Sequence, residues 1–282
     1  MKHLTKLALA AALLPACTDG TKLSEEQATK NVAVVAAQAA KDVAEIRRGL
    51  PAGGKPMNDN LFAQEPGQPI LPTRARAALK KTREQVTDLQ LAKSTFFAVT
   101  DPAGVTLASD QESDAVVGKN LLTAFPALAK GKDAYVETTG FMEEVRGVRQ
   151  GEDAMWAAAA PVKDKDGALK GVYVTGWSMR RFAHHLEEQL KTDLRQEKGK
   201  DGNPSKMPLL YVFVLMGDKP YSAPVTPEVN AKAIEELKLS SKVSAGPWHG
   251  KVEITNRGYG VAAQPVKDLC ESCSVVILRS EI

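Results

Sequence analysis

Apolar positions change period several times along the chain, and each change marks an element. Ala28, Val32, Val35, Ala39, Val43, Ile46 and Leu50 recur at steps of 4, 3, 4, 4, 3 and 4, which is one face of an α-helix. Gly49 and Pro51 are expected to stop that helix. Residues 51 to 72 are rich in Pro, Gly and Asn without periodicity and read as a long loop. A second helix is predicted from about Thr73 to Ala92, with Ala75, Leu79, Thr82, Val86 and Leu89 on its buried face. Its basic residues Arg74, Arg76, Lys80, Lys81 and Arg83 read as a solvated face. Met179, Phe182, Leu186, Leu190 and Leu194 predict a third helix. Thr226-Pro227-Glu228 supplies an N-cap, a first-turn proline and an acid at the positive helix end, starting a fourth that runs to about Leu239.

Between the second and third helices the period falls to strands. Phe96 to Thr100 and Val105 to Ser109 flank Asp101-Pro102-Ala103-Gly104, which has Asp, Pro and Gly where a type I turn wants them. A short helix over about Gly118 to Lys130 and a strand from Tyr135 to Thr139 precede a polar excursion, Phe141 to Asp153, that carries Arg146 and Arg149. Trp156 to Val162 and Leu169 to Trp177 then flank the hairpin signal Asp166-Gly167. After the third helix the theme returns as Leu210 to Met216, a turn at Gly217-Asp218, Tyr221, Gly258 to Val266 and Ser274 to Arg279. The phrase Ala157-Ala158-Ala159-Ala160-Pro161-Val162-Lys163-Asp164 is echoed by Val261-Ala262-Ala263-Gln264-Pro265-Val266-Lys267-Asp268 about a hundred residues later. The expected architecture is therefore α+β, an internal repeat of two small antiparallel sheets in tandem, packed on long N-terminal helices.

Composition changes this picture little. With 282 residues, 43% hydrophobic and 25% charged, the chain is long enough for two ordinary globular domains. The formal net charge of +3 includes Lys2 and Lys6, and without them it is +1, which gives nucleic acid nothing to attract it.

The N-terminus adds more. Met1 to Lys6 is a basic start and Leu7 to Leu14 an apolar run too short to span a bilayer, as in an export signal. Leu14-Pro15-Ala16-Cys17 resembles a bacterial lipobox, which implies lipid on Cys17 as the first mature residue; the alternative is an ordinary signal cleaved nearby. By the same resemblance, Thr18 in place of Asp after the cysteine favours the outer membrane. Of the three cysteines, Cys270 and Cys273 then remain as a C-x-x-C pair, expected to be a disulfide in an oxidising compartment.

Catalytic constellations are not legible. The chain has no G-x-S-x-G, Walker A, dinucleotide or H-E-x-x-H motif. His184 and His185 are helical neighbours pointing about 100° apart, a poor shared metal site. No enzyme, cofactor or metal is expected. Ser274 stands where a c-type haem motif needs His, which leaves a thiol redox protein as the remaining catalytic alternative.

The long first helix, Phe96-Phe97-Ala98-Val99-Thr100-Asp101-Pro102-Ala103-Gly104-Val105-Thr106-Leu107-Ala108-Ser109-Asp110, the Gly118-Lys119-Asn120-Leu121 helix, and Ala158-Ala159-Ala160-Pro161-Val162-Lys163-Asp164 through Gly171-Val172 resemble the extracytoplasmic Cache sensor domains, relatives of the PAS fold. Counting the repeat, the resemblance is to the double-Cache arrangement over roughly residues 28 to 282. It implies two PAS-like modules and a small-molecule pocket on one face of a sheet, with the other face packed on the long helix. Cache domains usually sit between two membrane spans of a receptor or kinase. A second apolar span and an output domain are not found in this sequence, so signalling is expected to pass through a protein partner.

The expected division is a signal peptide over 1–16, a lipid-anchored tether over 17–27, N-terminal helices and loop over 28–95, a first PAS-like module over 96–178, and a linker helix with a second module over 179–282. Period two puts Trp156, Ala158 and Ala160 on one face and Tyr173, Thr175 and Trp177 together, small residues beside large that leave room above the sheet. Arg146 and Arg149 are expected to close over that room, with Asp101 at a strand end as a further contact. The alternative makes the aromatics ordinary core and the arginines solvated. The function expected is a lipid-anchored sensory protein of the cell envelope that binds a small ligand, or else a ligand-free interaction lipoprotein.

Overall fold

The first helix, α1, spans Ala16–Ala52 in a computed structural model that describes residues 16–64, 68–92, 96–111, 116–142, 153–200 and 207–281. At about 1.5 Å per residue it is about 55 Å long, and the stripe from Ala28 to Leu50 lies along its buried side, each member at most 2% exposed. Residues 18–27, expected to be a tether, are helical instead. Helix α1 ends at Ala52, one residue past Pro51, where the Gly49 and Pro51 signals place its stop. The expected loop beyond it is helical in its first half, as α2 (Gly54–Met57) and a π-turn at Asn58–Phe62. The second predicted helix is two, α3 (Pro72–Gln85) and α4 (Thr87–Leu91), broken where Val86 turns extended.

The first sheet contains β1 (Phe96–Thr100), β2 (Thr106–Ser109), β3 (Val136–Met142), β4 (Asp153–Lys163) and β5 (Leu169–Ser178), antiparallel in the order β2-β1-β5-β4-β3. A short helix α5 (Leu121–Ala124) and a 3₁₀ turn at Pro126–Lys132 lie between β2 and β3. Helix α6 (Met179–Lys200) leads to β6 (Leu209–Met216), β7 (Lys219–Ser222), α7 (Glu228–Glu236), α8 (Leu239–Val243), β8 (Trp248–Ile254), β9 (Arg257–Pro265) and β10 (Cys273–Ser280). These strands form a second antiparallel sheet in the order β7-β6-β10-β9-β8, strand for strand the order of the first. The echoed phrases close β4 and β9, which occupy the same place in the two sheets. Pro161 pairs with Val172 and Pro265 with Ser274, each beyond the reach of the outer strand, where a central strand tolerates proline. Strand β8 escaped the sequence reading because His249, Lys251 and Glu253 alternate with half-buried residues and Gly250 interrupts the apolar face. Thr255 and Asn256, both at positive φ, make the two-residue turn that joins it to β9.

The helices cover one face of each sheet. Ser24 and Glu25 of α1 lie against β9 at Gly260, where an added Cβ would collide with the Glu25 amide nitrogen. At its far end the chain leaves α1 through Gly53, which touches the Tyr173 ring of the first sheet. The early part of α1 thus serves the second sheet and its end the first. On the first sheet, Trp156, Ala158, Ala160, Tyr173 and Trp177 face these helices, while Ala98, Met155, Ala157, Ala159 and Val174 face Leu121, Leu122, Phe125 and Leu128 on the other side. No helix among the described residues is long and apolar enough to cross a membrane.

Candidate functional site

Helix α3 begins at Pro72 after the extended Leu71, a favoured start because the proline lacks an N–H that would have no partner there. Ala75, Ala78, Leu79 and Thr82 bury one side. Thr73, Arg76, Ala77, Lys80, Arg83 and Glu84 fall on another at steps of 3, 1, 3, 3 and 1, a single helical face. With Gln90 of α4 and Asp110 just past β2, this face lines a cleft of about 770 Å³.

Arg83 and Asp110 form the floor of this cleft. The Arg83 Nη1 donates to Asp110 Oδ2 at 2.9 Å, and the guanidinium carbon sits 4.4 Å from the centroid of the Phe97 ring. Its Nε is buried without a hydrogen-bond partner among the described residues. Asp110 Oδ1 accepts the backbone N–H of Phe97 at 2.8 Å, and the Asp110 amide donates back to the Phe97 carbonyl at 2.8 Å. The carboxylate is therefore stitched to β1. Burial raises its pKa, against the Phe97 N–H and the Arg83 charge, which lower it. Arg76 donates to the Ser109 carbonyl at 3.3 Å, while Lys80 is exposed. Under this floor the Tyr173 ring lies 5.9 Å from Phe97, and its buried hydroxyl has no hydrogen-bond partner among the described residues. Burial pushes that hydroxyl's pKa upward.

The residues expected to form a pocket are distributed differently. Trp156 and Trp177 are cross-strand partners stacked at 4.4 Å, and Trp177 stacks on Phe182 of α6 at 4.6 Å. Together with Tyr173 they are at most 1% exposed. The room above the alanines is filled by helix, because the face they line is the one on which α1, α2 and α6 pack; the aromatics are core, not an open wall. Asp101 sits at the opposite end of β1 from Trp177 and closes the β1–β2 turn, its Oδ1 accepting the Val105 N–H at 2.9 Å. Arg146 and Arg149 lie outside the described residues. So do the side chain of Cys17, in the first turn of α1, and residues 1–15. The Cys270–Cys273 disulfide is present. The sequence does not point to the cleft, because Arg76, Lys80 and Arg83 read from it as a solvated face. Their shared helical face was legible, but its approach to Asp110 was not.

No family model matches the chain, and no curated protein matches it significantly. Solved structures do. A domain of a protein assigned to the sensory box/GGDEF family of Vibrio parahaemolyticus superposes with a TM-score of 0.57 at 10% identity, over 93% of this chain and 97% of that one. The extracellular domain assigned to the histidine kinase vpHK1S-Z8 gives 0.59 at 10% identity, over 93% of each chain. The fold is the double-Cache one. An extracellular ligand-binding receptor from Desulfohalobium retbaense shares it at a TM-score of 0.52 and 14% identity, over 89% of this chain; this chain spans only 39% of that receptor. The two PAS-like sheets and long helix of the double-Cache fold are thus present at identities that establish the fold alone.

Proposed function

We propose that the protein is a lipid-anchored extracytoplasmic sensory protein that binds a small anionic ligand in the cleft beside α3 and passes the change to a partner protein. The observation that carries this reading is the Arg83–Asp110 pair. It lines a cavity in the size range of ligand sites, and its carboxylate is bonded to the backbone of a central strand. A ligand carboxylate or phosphate that takes over the Arg83 guanidinium frees Asp110, so occupancy is felt directly by β1. The PAS-like modules over 96–178 and 179–282 then have different tasks. With lipid on Cys17, α1 rises from the membrane without a flexible tether, the second sheet lies near the membrane, and the first is held away from it. The names of the structural relatives, an extracellular receptor and a kinase's extracellular domain, support the sensory role and the location outside the cytoplasm.

The test is thermal unfolding against a panel of mono- and dicarboxylates and phosphate. A ligand at 100 times its Kd is expected to raise the Tm by on the order of 5 °C, and Arg83→Ala is expected to abolish that shift. A panel without any stabilising anion, or a shift that survives Arg83→Ala, sinks the cleft as the sensory site. The anchor is tested separately, by loss of membrane partitioning in Cys17→Ser.

A second reading, a ligand-free interaction lipoprotein, is favoured by the first sheet's other face, where Ala98, Phe125, Leu128, Met155, Ala157 and Val174 are buried against each other. The thiol oxidoreductase reading finds less support, since Cys270 lies in a turn between strands rather than at a helix start.

A further inference from the structure

Arg47, near the end of α1, holds both sheets at once. Its Nε and Nη2 donate to the two carboxylate oxygens of Glu137 on β3, at 3.0 and 2.6 Å, a bidentate fork that Tyr135 completes by donating its hydroxyl proton to Glu137 at 2.9 Å. From the other side, Nη1 donates to Asp268 Oδ1 at 2.8 Å and Nη2 to the Asp268 carbonyl at 2.7 Å. Glu137 belongs to the first sheet, while Asp268 belongs to the turn that joins β9 to β10 in the second.

That turn contains the Cys270–Cys273 bridge. Its backbone is folded by Leu269 and Cys270 N–H groups donating to the Val266 carbonyl, and by the Cys273 N–H donating to the Cys270 carbonyl. Leu269 and Cys273 are buried, Cys270 is half-buried, and Glu271 and Ser272 are exposed. A bridge across so short a loop removes little chain entropy from the unfolded state, so it adds little to global stability. What it fixes is the local path of residues 270–273, which begin two residues after Asp268.

We propose that Cys270–Cys273 is a reversible redox site whose state sets the grip of Asp268 on Arg47, and hence the tie between the two sheets. The reductant is a dithiol. One of its thiolates attacks the half-buried Cys270 sulfur, and Cys273 leaves as a thiolate and takes up a proton. The second thiol then attacks the mixed disulfide, releasing Cys270 as a thiol and leaving the reductant oxidised by two electrons. With the bridge open the turn is no longer held in the shape that aims both Asp268 oxygens at Arg47. The inference stands independently of the ligand reading.

Coupling is reciprocal: if the closed bridge favours the clamp, the clamp favours the closed bridge. The experiment equilibrates the full chain with dithiothreitol mixtures of graded redox ratio, traps thiols by alkylation, and follows near-UV circular dichroism to confirm that the protein stays folded. Arg47→Ala, Asp268→Asn and Glu137→Gln are each expected to shift the midpoint about threefold towards easier reduction. Lys267→Ala, a charge change in the same turn outside the clamp, is expected to leave it in place. Simple charge effects on the thiols give a different pattern, because losing a cation and losing an anion move the midpoint in opposite directions. Opposite shifts for Arg47→Ala and Asp268→Asn, no shift for Glu137→Gln, or a bridge reduced only when the near-UV signal is lost would each overturn the proposal.

Discussion

The two sheets share a strand order and differ in what is attached to them. The second is fastened to the early part of α1 by close backbone contact and buried polar links. Arg279 donates to Asn31 at 2.6 Å and to Glu281 at 2.7 Å, and the Glu281 amide donates to Ser24 at 3.0 Å. Its opposite face is closed by α7 and α8 over an apolar cluster that includes Phe213, Ile234, Leu239 and Val276. The first sheet meets only the end of α1 and instead carries α3 and α4, with the charged cleft and its half-exposed Arg83 and Asp110. One scaffold therefore lies against the early part of α1 in one copy and carries a charged cleft in the other. What distinguishes them is the insertion of helices that bring a cationic face over a sheet edge, not the sheet itself.

The contrast is broken most severely at the aromatic stack. Trp177→Ala removes the ring between Trp156 and Phe182 and is expected to cost about 4 kcal/mol of ligand-free stability in urea unfolding. A cost under about 1 kcal/mol would mean that the face is not the core described above. Next comes the contact of α1 with β9. Gly260→Val places a side chain where the Ser24–Glu25 backbone lies, and the variant is expected to lose about 3 kcal/mol. Full stability in that variant would show that α1 does not press on β9.

The smallest effect sharpens the cleft. Asp110 has a folded-state pKa raised by burial, so it binds a proton more tightly folded than unfolded. Its contribution is fully present below the unfolded value of about 4 and is lost as pH rises through the folded value. Asp110→Asn is therefore expected to remove a decline in stability that the parent shows above about pH 4. Parallel stability curves for parent and variant would contradict this.

Most of the elements were legible in the sequence because their periods are local. The Ala28 to Leu50 stripe and the Met179 to Leu194 stripe fixed two helices, and the Asp101–Gly104 and Asp166–Gly167 turns fixed two hairpins. The echoed Ala-Ala-x-Pro-Val-Lys-Asp phrase located the repeat, and the structure sets both copies at the same strand position. The misreadings have local causes too. Gly, Pro and Asn hide the helical turns at Gly54–Met57 and Asn58–Phe62, and the alternation in β8 is blurred by Gly250.

The sequence by itself determined the α+β class, the Cache resemblance and the pairing of Cys270 with Cys273 from short local patterns, and the repeat from one such pattern that recurs about a hundred residues later. Only the tertiary structure decided which sheet face the long helices cover. Period two separates Trp156, Ala158 and Ala160 from Met155, Ala157 and Ala159 but does not say which set a helix will cover. It also decided the partners of the charges. Arg83 meets Asp110 across 27 residues, and Arg47 meets Glu137 across 90 and Asp268 across 221. No periodicity reaches so far, since these pairs form only when separately folded elements are brought side by side.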